Sequence, residues 1–185
     1  MTRIGVIGTG MLGKAVSLHL LESGYQLTVY NRTKSKTEEL KNHGAIVVDS
    51  PKDVARSSDL VITIVKDANA VKDVSFGKDG IVDGKHDDLI VADMSTINPN
   101  ASKEIAKQFS KHGIIMLDTP VMGGPNVAIT GKLVLMAAGD KDAFETHKKN
   151  FETIASKTFF LGPNGTAHSV KLAMNLQIGM LALAL

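Results

Sequence analysis

Lys171 and Asn175 are polar side chains in the C-terminal segment from Gly165 onward, most of which is apolar. Their i, i+4 spacing places both side chains on one face of a helix. Polar groups on an apolar helix are costly unless they have a use. A lysine ammonium can protonate a carbonyl oxygen, and the neutral amine can accept a hydroxyl proton. The pair alone is also consistent with a lysine that reaches the surface and an amide satisfied by packing.

A second pattern at the start of the chain suits phosphate binding: Gly8, Gly10 and Gly13 have the spacing G-x-G-x-x-G. A run rich in β-branched residues precedes the loop, and a helical pattern follows it. The first glycine allows a tight turn, the second lets a pyrophosphate approach the backbone, and the third lets helix and strand pack closely. Unpaired N–H groups at the helix start favour phosphates. The pattern predicts a dinucleotide site, with an ordinary glycine-rich turn as the alternative. The residues between the glycines are Thr9, Met11 and Leu12.

The residues after the second predicted strand indicate which dinucleotide is bound. Sites for NAD place an Asp or Glu there to hold the ribose 2′-hydroxyl, but no acidic residue occurs between Gln26 and Thr37. Cations at a helix start oppose the helix dipole unless an anion is present, and a 2′-phosphate would be that anion. We therefore expect NADP(H) in preference to NAD(H), with a solvated basic loop as the alternative. The segment contains Asn31, Arg32, Thr33, Lys34 and Lys36.

Strands and helices alternate along the chain, which is typical of an α/β fold with a parallel sheet. We predict a Rossmann-type, doubly wound, mostly parallel sheet with helices on both faces, followed by the start of a long helix. In such folds ligands bind beyond the carboxyl ends of the strands. The predicted strands are residues 3–7, 26–30, 45–48, 60–65, 89–93, 114–118, 133–138 and 158–161.

The composition excludes several classes of function. The 185 residues carry a formal net charge of +2, which predicts no general attraction to nucleic acid or to an anionic membrane. The chain has no cysteine, so disulfides, thiolate nucleophiles and cysteine-ligated zinc are excluded. The terminal apolar segment is too short and too often interrupted by polar residues to span a membrane. Because a strand is predicted almost at Met1, no signal peptide is expected, and we expect a cytoplasmic protein.

Four motifs occur in register along the chain, and together they resemble the β-hydroxyacid dehydrogenase family. This family includes 3-hydroxyisobutyrate dehydrogenase and tartronate semialdehyde reductase, with an N-terminal NADP-binding domain of the 6-phosphogluconate dehydrogenase type. The resemblance implies reversible hydride transfer between NADP(H) and a small 3-hydroxy acid or aldehyde acid. The motifs are the glycine loop at residues 8–13, DMST at 93–96, DTPVMGG at 118–124 and G-x5-K-x3-N at 165–175.

The resemblance also implies roles for individual residues. Lys171 matches the catalytic lysine that acts as general acid and base, and Asn175 matches its orienting partner; both would contact the substrate. The other implied substrate-binding residues are Ser95 and Met122, together with Gly123 and Gly124 of the loop that holds the substrate carboxylate. The implied cofactor contacts, besides the residues of the glycine loop, are Asn31, Arg32, Thr33, Lys36, Val65, Lys66 and Thr96.

Departures from the family pattern leave the substrate open. Met122 replaces the usual serine that contacts the substrate carboxylate, so a less polar acid is possible. Lys66 stands where proline is frequent, while Ala167 and Met174 replace a common glycine and asparagine. The alternatives are a non-catalytic dinucleotide-binding module and a related reductase that acts on imines. Retention of Lys171 argues against both.

The resemblance finally implies a domain organisation. Residues 1–162 are expected to form the dinucleotide-binding domain, and residues 163–185 the first part of a helix leading to an all-helical C-terminal domain. Family members use that second domain to close the substrate cleft and to assemble. We therefore expect a homo-oligomer, and a chain that turns over weakly by itself.

Overall fold

The computed structural model describes residues 2–184, which fold around a parallel sheet of six strands. The strand order is β3-β2-β1-β4-β5-β6, and every pairing within this sheet is parallel. This arrangement confirms the predicted Rossmann-type fold. The strands are β1 (Ile4–Ile7), β2 (Leu27–Tyr30), β3 (Ile46–Val47), β4 (Leu60–Thr63), β5 (Ile90–Asp93) and β6 (Ile115–Asp118).

The two central strands are apolar except at Thr63, as expected where helices cover both faces of the sheet. All residues of β1 and of β4 are buried, as expected for parallel strands with no solvated face. The strands pair in register from Ile4 opposite Leu60 to Ile7 opposite Thr63. The chain leaves β1 and β4 in opposite directions across the sheet, since β2 lies beyond β1 and β5 lies beyond β4.

The last strands do not extend this sheet, which corrects the prediction of a single sheet. They form a second sheet in the order β7-β8-β9, with β7 and β8 antiparallel and β8 and β9 parallel. Paired backbone hydrogen bonds between Asp118 and Ala138, of 2.9 and 3.0 Å, join the two sheets. The two-residue β7 was predicted as a loop, and β9 starts three residues earlier than predicted. The strands are β7 (Val121–Met122), β8 (Leu133–Ala137) and β9 (Ala155–Phe160).

Eight helices surround the sheets within residues 2–184, and several begin at the signals expected from the sequence. The Ser50 hydroxyl accepts a hydrogen bond from the Asp53 amide at 3.1 Å, and Pro51 is the first residue of its helix. A 3-10 turn, Lys34–Thr37, directly precedes the second helix. The helices are α1 (Met11–Glu22), α2 (Glu38–Asn42), α3 (Pro51–Arg56), α4 (Ala68–Phe76), α5 (Pro99–Lys111), α6 (Pro125–Ala128), α7 (Lys141–Ile154) and α8 (Thr166–Ala184).

The hydrophobic core is divided by the main sheet into two large clusters. One lies between the sheet, α1, α7 and the second sheet, with Phe144 and Phe151 among its members. The other lies beneath α3, α4 and α5 and includes Val54 and Phe109. A third, small cluster of Met136, Ala138 and Ala167 holds the start of α8 against β8. The first turns of α8 are thereby fixed to the edge at which β5 and β6 end.

The rest of α8 is exposed and apolar. Ala167 and His168 are its buried residues, whereas Leu176 is 66% and Leu183 90% exposed. Within residues 2–184, none of the helices combines the length and the apolarity needed to cross a membrane.

Candidate functional site

A crevice is expected where β1 and β4 lie side by side, because the chain turns away from them in opposite directions. The loop after β1 carries the three glycines, and the loop after β4 begins at Ile64. All strands of the main sheet are parallel, so the loops after β5 and β6 reach the same edge. The motifs that are distant in sequence therefore meet at one edge of the sheet.

The three glycines of the first loop differ in what surrounds them. Gly8 has φ +99°, and a Cβ there would overlap the carbonyl oxygen of Ile64. A Cβ at Gly13 would overlap the carbonyl oxygen of Gly8. A Cβ at Gly10, in contrast, would meet no heavy atom within 4 Å. Gly8 and Gly13 are thus required by the fold itself, while the open space at Gly10 fits the close approach of a pyrophosphate to the start of α1.

Hydrogen bonds of Thr9 and Asn31 connect the glycine loop to the loop after β2. The buried Thr9 donates its amide to Asn31 Oδ1 at 3.0 Å and its hydroxyl to the Lys36 carbonyl at 3.1 Å. Asn31 Nδ2 donates in turn to the Thr33 carbonyl at 2.9 Å. The structure therefore brings together four of the residues assigned to the cofactor, and it gives Asn31 a structural role in this loop.

The predicted basic cluster after β2 is only partly available to an anion. Lys34 forms an ion pair with Asp49 at 2.8 Å, which raises the pKa of Lys34 and lowers that of Asp49. Arg32 and Lys36 are exposed and form no ion pair within residues 2–184. These two exposed cations lie in the segment that Thr9 joins to the glycine loop.

The loops after β4 and β5 are joined by one hydrogen bond. The Val65 amide donates to the buried Ser95 hydroxyl at 3.0 Å. Thr96, the next residue, is exposed at the sheet edge. The exposed Lys66 forms an ion pair with Asp67 at 3.3 Å. Ser95 thus holds one loop rather than pointing freely into the crevice.

Lys171 reaches across to the end of β7 and the loop that follows it. Its Nζ donates to Met122 Sδ at 3.1 Å, although a thioether is only a weak acceptor. The Lys171 side chain is half-buried, and burial lowers its pKa. Gly123 has φ +114°, and a Cβ at the exposed Gly124 would meet no heavy atom within 4 Å. The structure therefore places a partly desolvated ammonium beside an open backbone loop.

Asn175 lies one turn beyond Lys171 on α8 and is exposed. Among the hydrogen bonds of residues 2–184, none joins its side chain to Lys171. Lys171 and Asn175 share one face of α8, as their i, i+4 spacing requires. No hydrogen bond between them within the described residues orients the ammonium.

Two buried carboxylates that had no predicted role hold the start of α8. Asp118 accepts from Ser102 Oγ at 2.6 Å, from Asn164 Nδ2 at 2.9 Å, and from the Gly165 amide. Asp93 Oδ2 faces His168 Nε2 at 3.8 Å. The available signal was a carboxylate at the end of each apolar strand, which is an unusual position for a charge.

The sequence profile of the NAD binding domain of 6-phosphogluconate dehydrogenase matches residues 3–162. The chain belongs to this family. Glyoxylate/succinic semialdehyde reductase 1 of Arabidopsis thaliana is 35% identical, over 95% of this chain and 61% of its own length. The mitochondrial 3-hydroxyisobutyrate dehydrogenase of Mus musculus is 34% identical, over 97% of this chain and 53% of its own length.

Solved structures show the same fold. An imine reductase from Myxococcus stipitatus in complex with NADP+ superposes with a TM-score of 0.92 at 26% identity, over 98% of this chain and 63% of that one. Its V8 variant in complex with NAD+ gives 0.91 at 25% identity, over 100% and 63% of the two chains. The chain spans between 53% and 64% of the length of the curated relatives it matches. Its resemblance to the 3-hydroxyisobutyrate dehydrogenases and related reductases is therefore confirmed for this part of their length.

Two substitutions in the glycine loop distinguish the glycine that the fold requires from the glycine that the cofactor requires. Gly13→Ala should lower the free energy of unfolding by about 1–3 kcal/mol or more, because the new methyl group meets rigid backbone. Gly10→Ala should cost less than about 1 kcal/mol, the range for alanine at a helix N-cap, but should weaken NADPH binding by about tenfold or more. Thermal unfolding without ligand and calorimetric titration with NADPH measure the two effects. An equal loss of stability in both variants, or unchanged NADPH affinity in Gly10→Ala, would contradict this assignment of the glycines.

Proposed function

We propose that this chain is the dinucleotide-binding part of an oxidoreductase that transfers a hydride between NADP(H) and a small 3-hydroxy acid or aldehyde acid. Lys171 is its general acid and base. The observation that supports the proposal best is the position of the Lys171 ammonium, half-buried and 3.1 Å from Met122 Sδ at the end of β7. Residues of the glycine loop reach the same edge of the sheet.

The cofactor, when bound, supplies or accepts the hydride. In the reductive direction Lys171 donates a hydrogen bond and then its proton to the carbonyl oxygen of the substrate. In the oxidative direction the neutral amine takes the hydroxyl proton. Burial lowers the pKa of Lys171, which makes the neutral amine more accessible than in an exposed lysine while the ammonium stays available as the acid.

The substrate is positioned by the loop after β7 in this proposal. Backbone N–H groups at Gly123 and Gly124 receive the carboxylate, and the open space beside Gly124 supports this role. Asn175, on the Lys171 face of α8, is assigned to the substrate hydroxyl rather than to the ammonium, because no hydrogen bond within residues 2–184 joins its side chain to Lys171. Met122 offers a polarisable, weakly accepting surface, so we propose an acid that bears an apolar substituent near its carboxylate.

We further propose that the exposed apolar side of α8 is covered in the assembled protein by a helical domain or by a second copy of the chain. The support is the continuous exposure of Leu176, Ile178, Met180 and Leu183, which a water-exposed helix does not usually show. Closure of the substrate cleft would then come from outside residues 2–184.

The NADP(H) preference can be tested at Arg32. Arg32→Ala should weaken NADPH binding by about ten- to a hundredfold, because it removes a charge-assisted hydrogen bond to the 2′-phosphate. NADH affinity should change by less than about twofold, since NADH lacks that phosphate. Lys34→Ala is the matched control: its ammonium is already paired with Asp49, so NADPH affinity should fall much less. Fluorescence titration with both nucleotides measures these effects. Equal losses for NADPH and NADH in Arg32→Ala would reject the assignment.

The acid–base assignment can be tested at Lys171. Lys171→Ala should lower the rate of NADPH-dependent reduction of small aldehyde acids by about 10²–10⁴-fold, the usual contribution of a general acid. NADPH affinity should remain within about twofold, because the lysine acts on the substrate. Lys157→Ala, at an exposed position on β9, is the control. Rates follow from the nicotinamide absorbance, in this chain or in a form extended to the length of its relatives. Retained turnover in Lys171→Ala, or reduction of cyclic imines but not of aldehyde acids by the parent, would overturn the assignment.

A further inference from the structure

Asp93 and His168 face each other in the interior, where the proposed reaction gives neither of them a role. Both side chains are fully buried, and Asp93 Oδ2 lies 3.8 Å from His168 Nε2. Within residues 2–184, neither that oxygen nor either ring nitrogen of His168 has a hydrogen-bond partner. Asp93 Oδ2 and the His168 ring therefore face each other without a hydrogen bond to any other group of the described residues.

The two groups lie close enough to offset part of the cost of burying them. A buried carboxylate without a partner costs several kcal/mol or more, and His168 is the side chain that faces Asp93 Oδ2. Burial raises the pKa of Asp93, and the hydrogen bonds it accepts act in the opposite direction. Removal of one member would leave the other without compensation.

The second carboxylate oxygen of Asp93 connects the pair to the cofactor side of the crevice. Asp93 Oδ1 accepts from Thr63 Oγ1 at 2.7 Å and from the Ser95 amide at 3.3 Å. The Ser95 hydroxyl accepts in turn from the Val65 amide at 3.0 Å. Asp93 is thus connected to the loops after β4 and β5, which carry the implied cofactor contacts Val65 and Thr96.

His168 connects the same pair to the acid–base residue. His168 and Lys171 are three positions apart on α8 and so share one side of the helix. His168 is fully buried, Lys171 is half-buried, and the helix is exposed beyond them. His168 is therefore the last fully buried side chain on α8 before Lys171.

We propose that His168 is a positioning residue, held by Asp93, that sets the place of the Lys171 ammonium relative to the loops after β4 and β5. The proposal rests on the acid–base role of Lys171 for its meaning, but it concerns a physical coupling that exists without substrate. A substitution at His168 should therefore change the surroundings of the Lys171 amine even in an experiment without substrate.

The coupling can be measured as the pKa of the Lys171 amine, which is titrated by NMR in protein labelled with ¹³C-lysine. The Lys171 signal is identified by its loss in Lys171→Met. In His168→Leu, the Lys171 pKa should rise to that of the exposed lysines in the same sample, because α8 loosens and the amine enters water. In His168→Gln, an amide donor can still reach Asp93, so the Lys171 pKa should stay near that of the parent. Val54→Ala, which removes buried methyl groups from α3 in the other core cluster, controls for loss of stability.

An unchanged Lys171 pKa in folded His168→Leu, the same rise in His168→Gln, or an equal rise in Val54→Ala would overturn the proposal. If the His168 variants do not fold, amide hydrogen exchange in the unaltered chain decides. Amides from Ser169 to Lys171 should then be as protected as those of Ala92 and Asp93. Exchange about a hundredfold faster in α8 than in β5 would show that the helix opens independently of the pair. Failure of the proposed function would appear differently, as retained turnover in Lys171→Ala with the coupling intact.

Discussion

Two buried carboxylates at the ends of neighbouring strands constrain this edge of the molecule more than any other interaction. Asp93 and Asp118 are register partners in β5 and β6, and both are fully buried. A buried charge is stable only when hydrogen-bond donors or an opposite charge lie next to it. The donors come from α5 through Ser102, from the segment before α8 through Asn164 and Gly165, and from β4 through Thr63. Satisfying the carboxylates therefore places the helix that carries the acid–base candidate.

A steric constraint at the opposite side of the crevice complements this electrostatic one. The carbonyl groups of Ile64 and Gly8 lie so close to Gly8 and Gly13 that no side chain fits at either glycine. The first helix is thereby held against the strand that it follows, with its amino end directed at the crevice. The cofactor side is thus formed by close backbone packing and the substrate side by buried polar contacts. The hydrogen bond between Val65 and Ser95 lies between the two sides.

The sequence predicted well those features that depend on local pattern. Apolar runs such as residues 60–63 indicate buried parallel strands, and the glycine spacing indicates the strand–loop–helix turn, because both follow from short-range sterics. Which strands belong to which sheet could not be predicted in this way. β7 has two residues, too few for a periodic pattern, yet its antiparallel pairing with β8 separates β8 and β9 from the main sheet. The Lys34–Asp49 ion pair and the Asp93–His168 contact join residues distant in sequence, so neither leaves a local signal. The exposure of Asn175 depends on how α8 packs, which its helical spacing does not specify.

The central claim is that the Lys171 amine and a bound nicotinamide ring lie on the same side of the crevice, separated by the space of one small acid. A crystal structure of the chain with NADP+ measures this most directly. We expect the pyrophosphate over Gly10, the 2′-phosphate beside Arg32 and the reactive face of the nicotinamide turned toward Lys171. A well-ordered cofactor whose nicotinamide points away from α8, with the Lys171 amine in bulk solvent, would contradict it.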